Sequence, residues 1–361
     1  AAGLDTVSVV ERYPSPNAKV RTVSQRIDGG GNAANSACAM SRLGSSSYLM
    51  SVIGSDSAAM EIMDRLKTQG VNTTFIVHHP GMSGTTYVIV CKESLTRTCI
   101  HNPVEDDLDV SEIDDMFAGT ELSVFQAVHF DSRHTQAAIT LARKTVGLKC
   151  IISIDAEKLR PNLFELLTYC DIIFANQEFP EIISPSETSD VKRIELMFEQ
   201  PWAKRCGLVV STLGAEGALL VYRRGDSGTV VNCPSHSLER RSIACKDSAL
   251  WSELEAEIQA CPAFTLREGE GHEQASSPYV AIRCSAWPIA EGEIVDTTGA
   301  GDAFIAAFLA AFLHGWELEN CMRMGAVVAA EKLRGQGARE TLPSLQAVRE
   351  AVRAFRCHTQ S

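Results

Sequence analysis

The chain has 361 residues, of which 45% are hydrophobic and 22% charged, as in an ordinary globular enzyme and unlike a disordered chain. Its 33 basic and 45 acidic residues give a net charge of −12, which argues against a nucleic-acid-binding protein because such proteins carry basic patches. No window approaches the roughly 18 consecutive apolar residues of a membrane span. We therefore expect a soluble protein that binds neither nucleic acid nor a membrane.

The first residues, Ala1-Ala2-Gly3-Leu4-Asp5, read as though the sequence opened partway along a strand. The missing half of that strand would leave a neighbouring strand exposed. Apolar runs that predict short strands then alternate with helical patterns, which is typical of a parallel α/β architecture. The predicted strands are 48–53, 75–77, 85–91, 98–101, 127–130, 151–154, 172–175, 208–212, 218–222, 229–232 and 293–295. The predicted helices are 32–43, 57–69, 135–145, 161–169, 190–205, 301–314, 318–332 and 344–355.

The alternation stops between 236 and 286, where the sequence is polar, mixed in charge and weakly periodic. Most loops in compact domains are far shorter than this segment. We interpret it as a surface insertion, with one helix at 248–260, in a chain that otherwise forms a single domain over 1–361.

Twelve cysteines are scattered along the chain, and none forms a CxxC pair. Structural zinc sites use paired ligands at short spacing, and a chain of this length does not need disulfides. We expect free thiols in a reducing compartment, either the cytoplasm or the stroma or matrix of an organelle.

The segment Asp296-Thr297-Thr298-Gly299-Ala300-Gly301-Asp302 lies between a predicted strand and a predicted apolar helix. Small residues at 299–301 allow a ligand to approach the backbone, and the first N–H groups of a helix form an anion site. Asp302 falls in the first turn of that helix. It has two readings: a helix N-terminal acid of little consequence, or a general base beside a bound phosphate.

A second glycine cluster, Gly29-Gly30-Gly31-Asn32-Ala33-Ala34-Asn35, opens the first predicted helix. The two asparagine amides lie three residues apart and suit the hydroxyl groups of a neutral polyol. The competing reading makes Asn32 a helix N-cap. A third segment, Thr212-Leu213-Gly214-Ala215-Glu216-Gly217, borders a nucleotide or forms only a hairpin.

Together these three segments resemble the ribokinase-like (PfkB) carbohydrate kinase family, and the resemblance covers nearly everything outside 236–286. Further segments resemble its ketohexokinase-like members: 11–14 (ERYP), 20–26 (VRTVSQR) and 154–158 (IDAEK).

The resemblance implies a Rossmann-type three-layer α/β/α core carrying a small β-sheet lid at about 6–28 and 84–103. It implies that Asp302 is the catalytic base and that Gly299, Ala300 and Gly301 form the hole for the migrating γ-phosphate. It further implies substrate-binding positions at Asp5, Gly31, Asn32, Asn35, Arg97 and Lys158, and nucleotide-binding positions at Thr212, Gly214, Gly217, Gly335, Gly337 and Ala338.

ATP with Mg²⁺ is also implied, with K⁺ as a further cation near the hole, and the implied metal positions are Asp296, Asn176 and Glu178. Besides the shortened first strand and the insertion, two residues depart from the family pattern. In the NxxE segment the glutamate, Glu178, falls one residue early. Asn17 stands where ketohexokinases have an acidic lid residue, which weakens a specifically fructose reading.

The sequence therefore predicts an ATP-dependent kinase that phosphorylates a sugar hydroxyl, with a homodimer formed through the lid. One alternative is a nucleoside kinase on the same fold, although the segment from Asp5 to Asn35 is poor in aromatic residues. The other is a catalytically silent homologue that serves as a partner-binding subunit.

Overall fold

The structure is a computed structural model that describes residues 1–94, 96–225, 247–268, 277–290 and 292–359. Its strands are β1 (Gly3–Val10), β2 (Ser24–Gly30), β3 (Ser51–Ile53), β4 (Ile76–His78), β5 (Thr85–Cys91), β6 (Thr96–Asn102), β7 (Ala127–Phe130), β8 (Ile151–Ala156), β9 (Ile172–Asn176), β10 (Leu208–Thr212), β11 (Ala218–Arg223), β12 (Leu266–Glu268) and β13 (Tyr279–Cys284). Its helices are α1 (Asn32–Arg42), α2 (Ser57–Thr68), α3 (Val110–Met116), α4 (Thr135–Thr145), α5 (Leu163–Leu167), α6 (Glu178–Ile183), α7 (Asp190–Phe198), α8 (Ser248–Gln259), α9 (Ala300–Leu313), α10 (Leu318–Leu333) and α11 (Leu345–Thr359).

Seven strands form the central sheet in the order β12-β13-β11-β10-β9-β8-β7, and β7 to β10 run parallel. The parallel strands are rich in Ile and Val, as expected for strands that are covered on both faces. Ile151 belongs to the cluster packed with α1 and α9, whereas the next residue, Ile152, belongs to the cluster packed with α4 and α7. Successive residues of a strand point to opposite faces. The core therefore has three layers, as the sequence predicts.

A second sheet has four strands in the order β2-β1-β5-β6. Across it, Asp28, Asp5, Thr86 and His101 form one row of register partners. Arg26 on β2 and Arg97 on β6 share that face, because each lies an even number of residues from a member of the row. Both arginines contact the segment 296–298, so this face of the second sheet covers the start of α9.

The strand β7 is the last strand of the central sheet, and β3 and β4 form a separate parallel pair. A cavity of about 940 Å³ lies between them, lined by residues 48–50 beside β3 and by β7 itself. Apolar side chains of α1 and α9 also line it, among them Ala37, Met40 and Leu309. Among the residues that the structure describes, the edge of β7 therefore pairs with no further strand and faces this cavity.

The predicted surface insertion differs from the structure in two parts. Strand β13 pairs with β11 along six residues, so 279–284 belong to the central sheet. The helix α8, close to its predicted bounds, buries Trp251, Leu254 and Ile258 in the core. Reading these two parts as surface segments was wrong. The polarity of the flanking sequence concealed the strand, whereas the helix was predicted but not its burial.

Other differences are local. Residues 293–295 form no strand. The helix predicted over 190–205 ends at Phe198, three residues before Pro201. A proline disfavours helical conformation in the residue that precedes it. The predicted strand 229–232 lies outside the described residues. Eight of the ten cysteines in the described ranges are buried. Among the same residues, no helix has both the length and the apolar character needed to cross a membrane.

We predict that Trp251→Ala destabilises the protein by about 3–5 kcal/mol, the usual cost of removing a buried aromatic side chain. Trp251 is 1% exposed and stacks on His314, with 4.1 Å between the ring centroids. Denaturant unfolding measures the change. Met60→Ala is the matched control, since Met60 is 65% exposed and should move the free energy of unfolding by less than about 0.5 kcal/mol. Equal effects in the two variants would contradict the core role of α8.

Candidate active site

The turn before α9 is held by the side chain of Asp296. Its Oδ1 accepts hydrogen bonds from the backbone N–H of Thr298 (2.9 Å) and from the Thr298 hydroxyl (2.7 Å). Its Oδ2 accepts from Arg26 (3.0 Å) and from the N–H of Gly337 (2.9 Å). Although burial alone would raise it, these hydrogen bonds hold the pKa of Asp296 below its ordinary value. Asp296 therefore joins the turn to the second sheet and to the loop 335–338.

Gly299 and Gly301 in this turn have different surroundings. Gly299 is the N-cap of α9 with φ +77°, and a Cβ there would lie 2.8 Å from the Cβ of Ala338. A Cβ on Gly301 would meet no atom within 4 Å. The space above Gly301 is thus open at the point where the first-turn N–H groups of α9 have no carbonyl partners within the helix. Such a turn can receive an anion.

Asp302 lies in the first turn of α9 and is 8% exposed. Its Oδ2 accepts a hydrogen bond of 2.8 Å from Nδ2 of Asn35. Burial raises the pKa of Asp302 to about 7, and the carboxylates of Glu157 and Asp131 add to that shift. A carboxyl group with this pKa can accept a proton near neutral pH, which is what general base chemistry requires.

The three consecutive glycines at the end of β2 make room for this cluster. A Cβ on Gly29 would lie 2.5 Å from Nη1 of Arg339, and a Cβ on Gly30 would lie 2.3 Å from Oδ1 of Asp5. Gly31 is the N-cap of α1 with φ +98°. Arg339 and Asp5 are therefore both packed closely against the backbone of Gly29 and Gly30.

Asn32 is the first residue of α1, so the reading of Asn32 as a helix N-cap is wrong. Its Nδ2 donates to Oδ2 of Asp155 (3.2 Å) and to Oε1 of Glu157 (3.0 Å). Burial, together with the charges of Glu157 and Asp302, holds the pKa of Asp155 well above its ordinary value. The Asn32 amide thus contacts carboxylates at the carboxyl end of β8, and the Asn35 amide contacts the carboxylate of Asp302 at the start of α9.

The two basic residues predicted for the substrate site differ in position. Nη1 of Arg97 on β6 donates to the Thr298 hydroxyl at 2.6 Å, which brings Arg97 to the turn. Lys158 is exposed, and within the described ranges no contact joins it to the carboxylate cluster. The structure brings together Asp5, Gly31, Asn32, Asn35, Arg97 and Asp302, and it does not bring Lys158 to them.

The predicted nucleotide residues form two groups. Gly335, Gly337 and Ala338 lie in the loop that packs on the turn before α9. Thr212 ends β10, and the turn from Gly214 to Gly217 connects it to β11. A Cβ on Gly217 would lie 2.1 Å from the carbonyl oxygen of Cys284, so packing against the end of β13 by itself requires glycine there.

The predicted metal positions do not form a ready cluster. Both oxygens of Asp296 accept hydrogen bonds, and Oδ1 of Asn176 accepts from the N–H of Phe179 at 2.9 Å. Glu178 is exposed at the start of α6. In the part of the chain that the structure describes, no group of three or more His, Cys, Asp and Glu side chains could hold a metal ion.

Sequence reasoning missed four side chains of the site: Asp155, Glu157, Lys332 and Arg339. Asp155 lies at the carboxyl end of the buried parallel strand β8 and Glu157 directly after it, at the edge where ligands bind in such sheets, and this signal could have found them. Lys332 is fully buried and its Nζ donates to the carbonyl of Asp296 at 2.7 Å; burial lowers its pKa to about 8. Neither Lys332 nor Arg339 has a sequence signal, because both lie in or beside an ordinary helix end.

Residues 3–238 and 283–345 match the family model of the pfkB family carbohydrate kinases. The chain belongs to the pfkB family of carbohydrate kinases. It is therefore a phosphotransferase that acts on an alcohol group. The residues outside the two matched ranges include α8, which lies in the predicted insertion.

Relatives of this pfkB-family chain include kinases of different substrates. It is 23% identical over 343 residues to a ketohexokinase of Mus musculus, and the alignment covers 92% of this chain and 94% of that relative. It is 22% identical to a nucleoside kinase of Methanocaldococcus jannaschii, over 98% of the chain and 95% of that relative. A solved structure of Arabidopsis thaliana ribokinase, complexed with ribose and ATP, superposes with a TM-score of 0.69 at 19% identity, covering 98% of this chain and 96% of the other. The predicted ribokinase-like fold is thus confirmed.

We predict that Asp302→Asn stabilises the folded protein at pH 8. The folded-state pKa of about 7 lies above the value of 3.8 for an unperturbed aspartate, so the unfolded chain ionises first as the pH rises. Asp302 therefore lowers the free energy of unfolding increasingly between pH 4 and pH 7, by roughly 1–4 kcal/mol at the plateau above pH 7. The neutral amide has no such penalty.

Thermal unfolding of both proteins from pH 4.5 to pH 8 tests this. The advantage of Asp302→Asn should shrink as the pH falls. A difference that is constant over this range would mean that Asp302 does not titrate abnormally.

Proposed function

We propose that the chain is an ATP-dependent kinase that transfers the γ-phosphate to a hydroxyl group of a neutral sugar. The observation that carries this proposal is the placement of the buried Asp302 carboxylate in the first turn of α9, beside the open space above Gly301. A proton acceptor and an anion site thus lie within one helical turn. Phosphoryl transfer to an alcohol needs both.

In the proposed reaction, the acceptor hydroxyl gives its proton to Asp302 as its oxygen attacks the γ-phosphorus of ATP. The bond between that phosphorus and the β-phosphate oxygen breaks, and ADP leaves. The N–H groups at Gly299, Ala300 and Gly301 stabilise the negative charge on the transferred group. Donors that are fixed in place before the reaction contribute strongly, because they need not reorient. The hydrogen bond from Asn35 leaves the other carboxylate oxygen of Asp302 for the hydroxyl.

The second sheet suits the role of a lid. Arg97 and Arg26 reach from it to Thr298 and Asp296, so the sheet closes over the turn at the reacting end of the site. A closed lid excludes water and so limits ATP hydrolysis.

ATP as the phosphate donor is supported by ribokinase structures of this fold, from Arabidopsis thaliana with ATP and from Cryptococcus neoformans with ADP. We place the nucleotide between the two groups of predicted residues, Thr212 to Gly217 and Gly335 to Ala338.

Of the implied metal residues, Glu178 has the free, exposed carboxylate that suits Mg²⁺, which accepts oxygen ligands and keeps several waters. Asp296 and Asn176 would first have to release their hydrogen-bond donors. When bound with ATP, Mg²⁺ neutralises phosphate charge. The Asp296 carbonyl, an oxygen of the kind that binds K⁺, already accepts from the ammonium of Lys332.

A sugar is favoured over a nucleoside by the side chains around Asp302. Asp5, Asn32, Asn35, Asp155 and Glu157 are amides and carboxylates, which recognise hydroxyl groups, and no aromatic ring is among them. A nucleobase would need an apolar or aromatic surface for stacking.

An ADP-release assay over a panel of neutral sugars and nucleosides tests the proposal. We expect turnover with a sugar, and we expect Asp302→Asn to lower it by at least about a hundredfold, the lower range of a general base contribution, while ATP binding stays nearly unchanged.

Because the pKa of Asp302 is about 7, kcat/KM of the wild type should rise with pH through neutrality.

Turnover with nucleosides alone would favour the nucleoside kinase, and no turnover with any acceptor would favour the silent homologue. Near-normal turnover of Asp302→Asn would reject Asp302 as the base.

We also propose that the lid forms a homodimer through its outer face. Ile27, Thr6, Tyr87 and Ile100 form one row across β2, β1, β5 and β6, on the face opposite Asp5, and its three apolar members are each at least half exposed. An apolar row on a sheet face is an interaction surface. A second copy offers the same row, so the contact is self-complementary about a two-fold axis.

Tyr87→Glu should shift the protein from dimer to monomer in sedimentation experiments, because it places a charge in the centre of the row. Met82→Glu, at an exposed methionine outside the row, is the control and should leave the dimer intact. A wild-type protein that sediments as a monomer at micromolar concentration would contradict the proposal.

A further inference from the structure

A buried cation lies behind the proposed base. Arg339 is 2% exposed, and its Nε donates to Oδ1 of Asn35 at 2.7 Å. One terminal nitrogen donates to the carbonyl of Gly30. The other terminal nitrogen, Nη1, packs against Gly29, where a Cβ would lie 2.5 Å away. The guanidinium thus contacts Asn35, Gly30 and Gly29. Asn35 in turn donates a hydrogen bond to Asp302.

This contact decides which way the Asn35 amide points. An amide has a donor end and an acceptor end, whereas a guanidinium only donates. Asn35 must therefore turn its oxygen to Arg339, which leaves its NH₂ group for Oδ2 of Asp302. If the amide were reversed, two donors would face each other at Arg339, and Asp302 would meet an oxygen.

The orientation matters for a base. A carboxylate accepts hydrogen bonds, and a protonated carboxyl group also donates one. An NH₂ group at Oδ2 favours the ionised form and leaves Oδ1 for the acceptor hydroxyl.

We propose that Arg339 is a positioning residue for phosphoryl transfer, which fixes the Asn35 amide so that Asp302 meets a donor at one oxygen and the acceptor hydroxyl at the other. The proposal rests on the proposed function. Arg339 touches neither substrate nor phosphate in this arrangement, and it acts through Asn35.

The charges around Asp302 show what Arg339 opposes. Carboxylates face Asp302 from the end of β7 (Asp131) and from the end of β8 (Asp155 and Glu157). Burial and these charges raise the pKa of Asp302, whereas the hydrogen bond from Asn35 and the charge of Arg339 lower it. Loss of Arg339 would remove both opposing effects, because the amide would no longer be fixed.

The test compares Arg339→Met, which removes charge and donors at similar volume, with Arg339→Lys, which keeps the charge and a donor. The ¹³C signal of the Asp302 side-chain carboxyl, assigned with Asp302→Asn, gives its pKa in the full chain without substrate. In Arg339→Met we expect this pKa to rise by about one unit, with the acidic limb of the pH profile moving by the same amount. The ionised fraction of Asp302 at pH 7, and with it kcat/KM, should then fall about fivefold. Arg339→Lys should lie between Arg339→Met and the wild type.

Arg65→Met is the matched control. Arg65 pairs with Glu340, the neighbour of Arg339, at 3.1 Å, so its loss disturbs the same loop without touching Asn35. It should leave both readouts unchanged. If Arg339→Met does not fold, Arg339→Lys alone tests the proposal. A rise in the pKa of Asp302 in that variant supports it, and an unchanged pKa contradicts it.

Two outcomes separate this proposal from the proposed function. Ordinary wild-type turnover, with an Asp302 titration that neither variant moves, overturns the role of Arg339 and leaves the kinase intact. A shifted titration in a protein that phosphorylates no acceptor overturns the kinase, although the Arg339–Asn35–Asp302 contact exists as described.

Discussion

The four hydrogen bonds of the Asp296 side chain are the constraint on which the site depends. They join the turn before α9 to Arg26 on the second sheet and to Gly337 in the loop after α10. Lys332 adds a fifth bond, at the Asp296 carbonyl. Segments that are 270 residues apart in sequence thus converge on one residue, and the turn gains a fixed shape before any ligand arrives. An anion site made of backbone N–H groups requires this rigidity, since its donors cannot adjust as side chains do.

Several ionisable side chains are buried around this turn. Asp302, Asp155 and Arg339 are each less than 10% exposed, although charged groups are seldom buried without partners. The amides of Asn32 and Asn35 separate these charges and bond to them. The arrangement costs stability, as the raised pKa of Asp302 shows, and it places a proton acceptor where water is scarce. Functional sites commonly combine these two properties.

The sequence predicts the fold through periodicity and the site through its glycine segments. Runs such as 151–154 and 208–212 are strands as predicted, because strands buried on both faces are continuously apolar. Strand β13 was missed because it follows a polar segment and pairs with β11 from a distance, a tertiary contact that no local pattern encodes. Arg339 was missed for a similar reason, since it packs against Gly29 and donates to the carbonyl of Gly30, about 310 residues earlier. The spacing of Asn32 and Asn35 places both amides on one side of α1, where each contacts a carboxylate; their role in binding a substrate stays a prediction.

The second sheet couples the proposed site to the proposed interface through the alternation of its strands. On β5, Thr86 pairs with Asp5 toward the site, and the next residue, Tyr87, points outward beside Ile100. A slip of one residue in register would exchange the two faces, turning carboxylates outward and apolar side chains toward the substrate. The register therefore has to satisfy both faces at once. It is fixed at the site face by Arg26 and Arg97, whose hydrogen bonds reach Asp296 and Thr298. Any movement of the sheet that opens the site must break these two contacts, and the outer row moves with it.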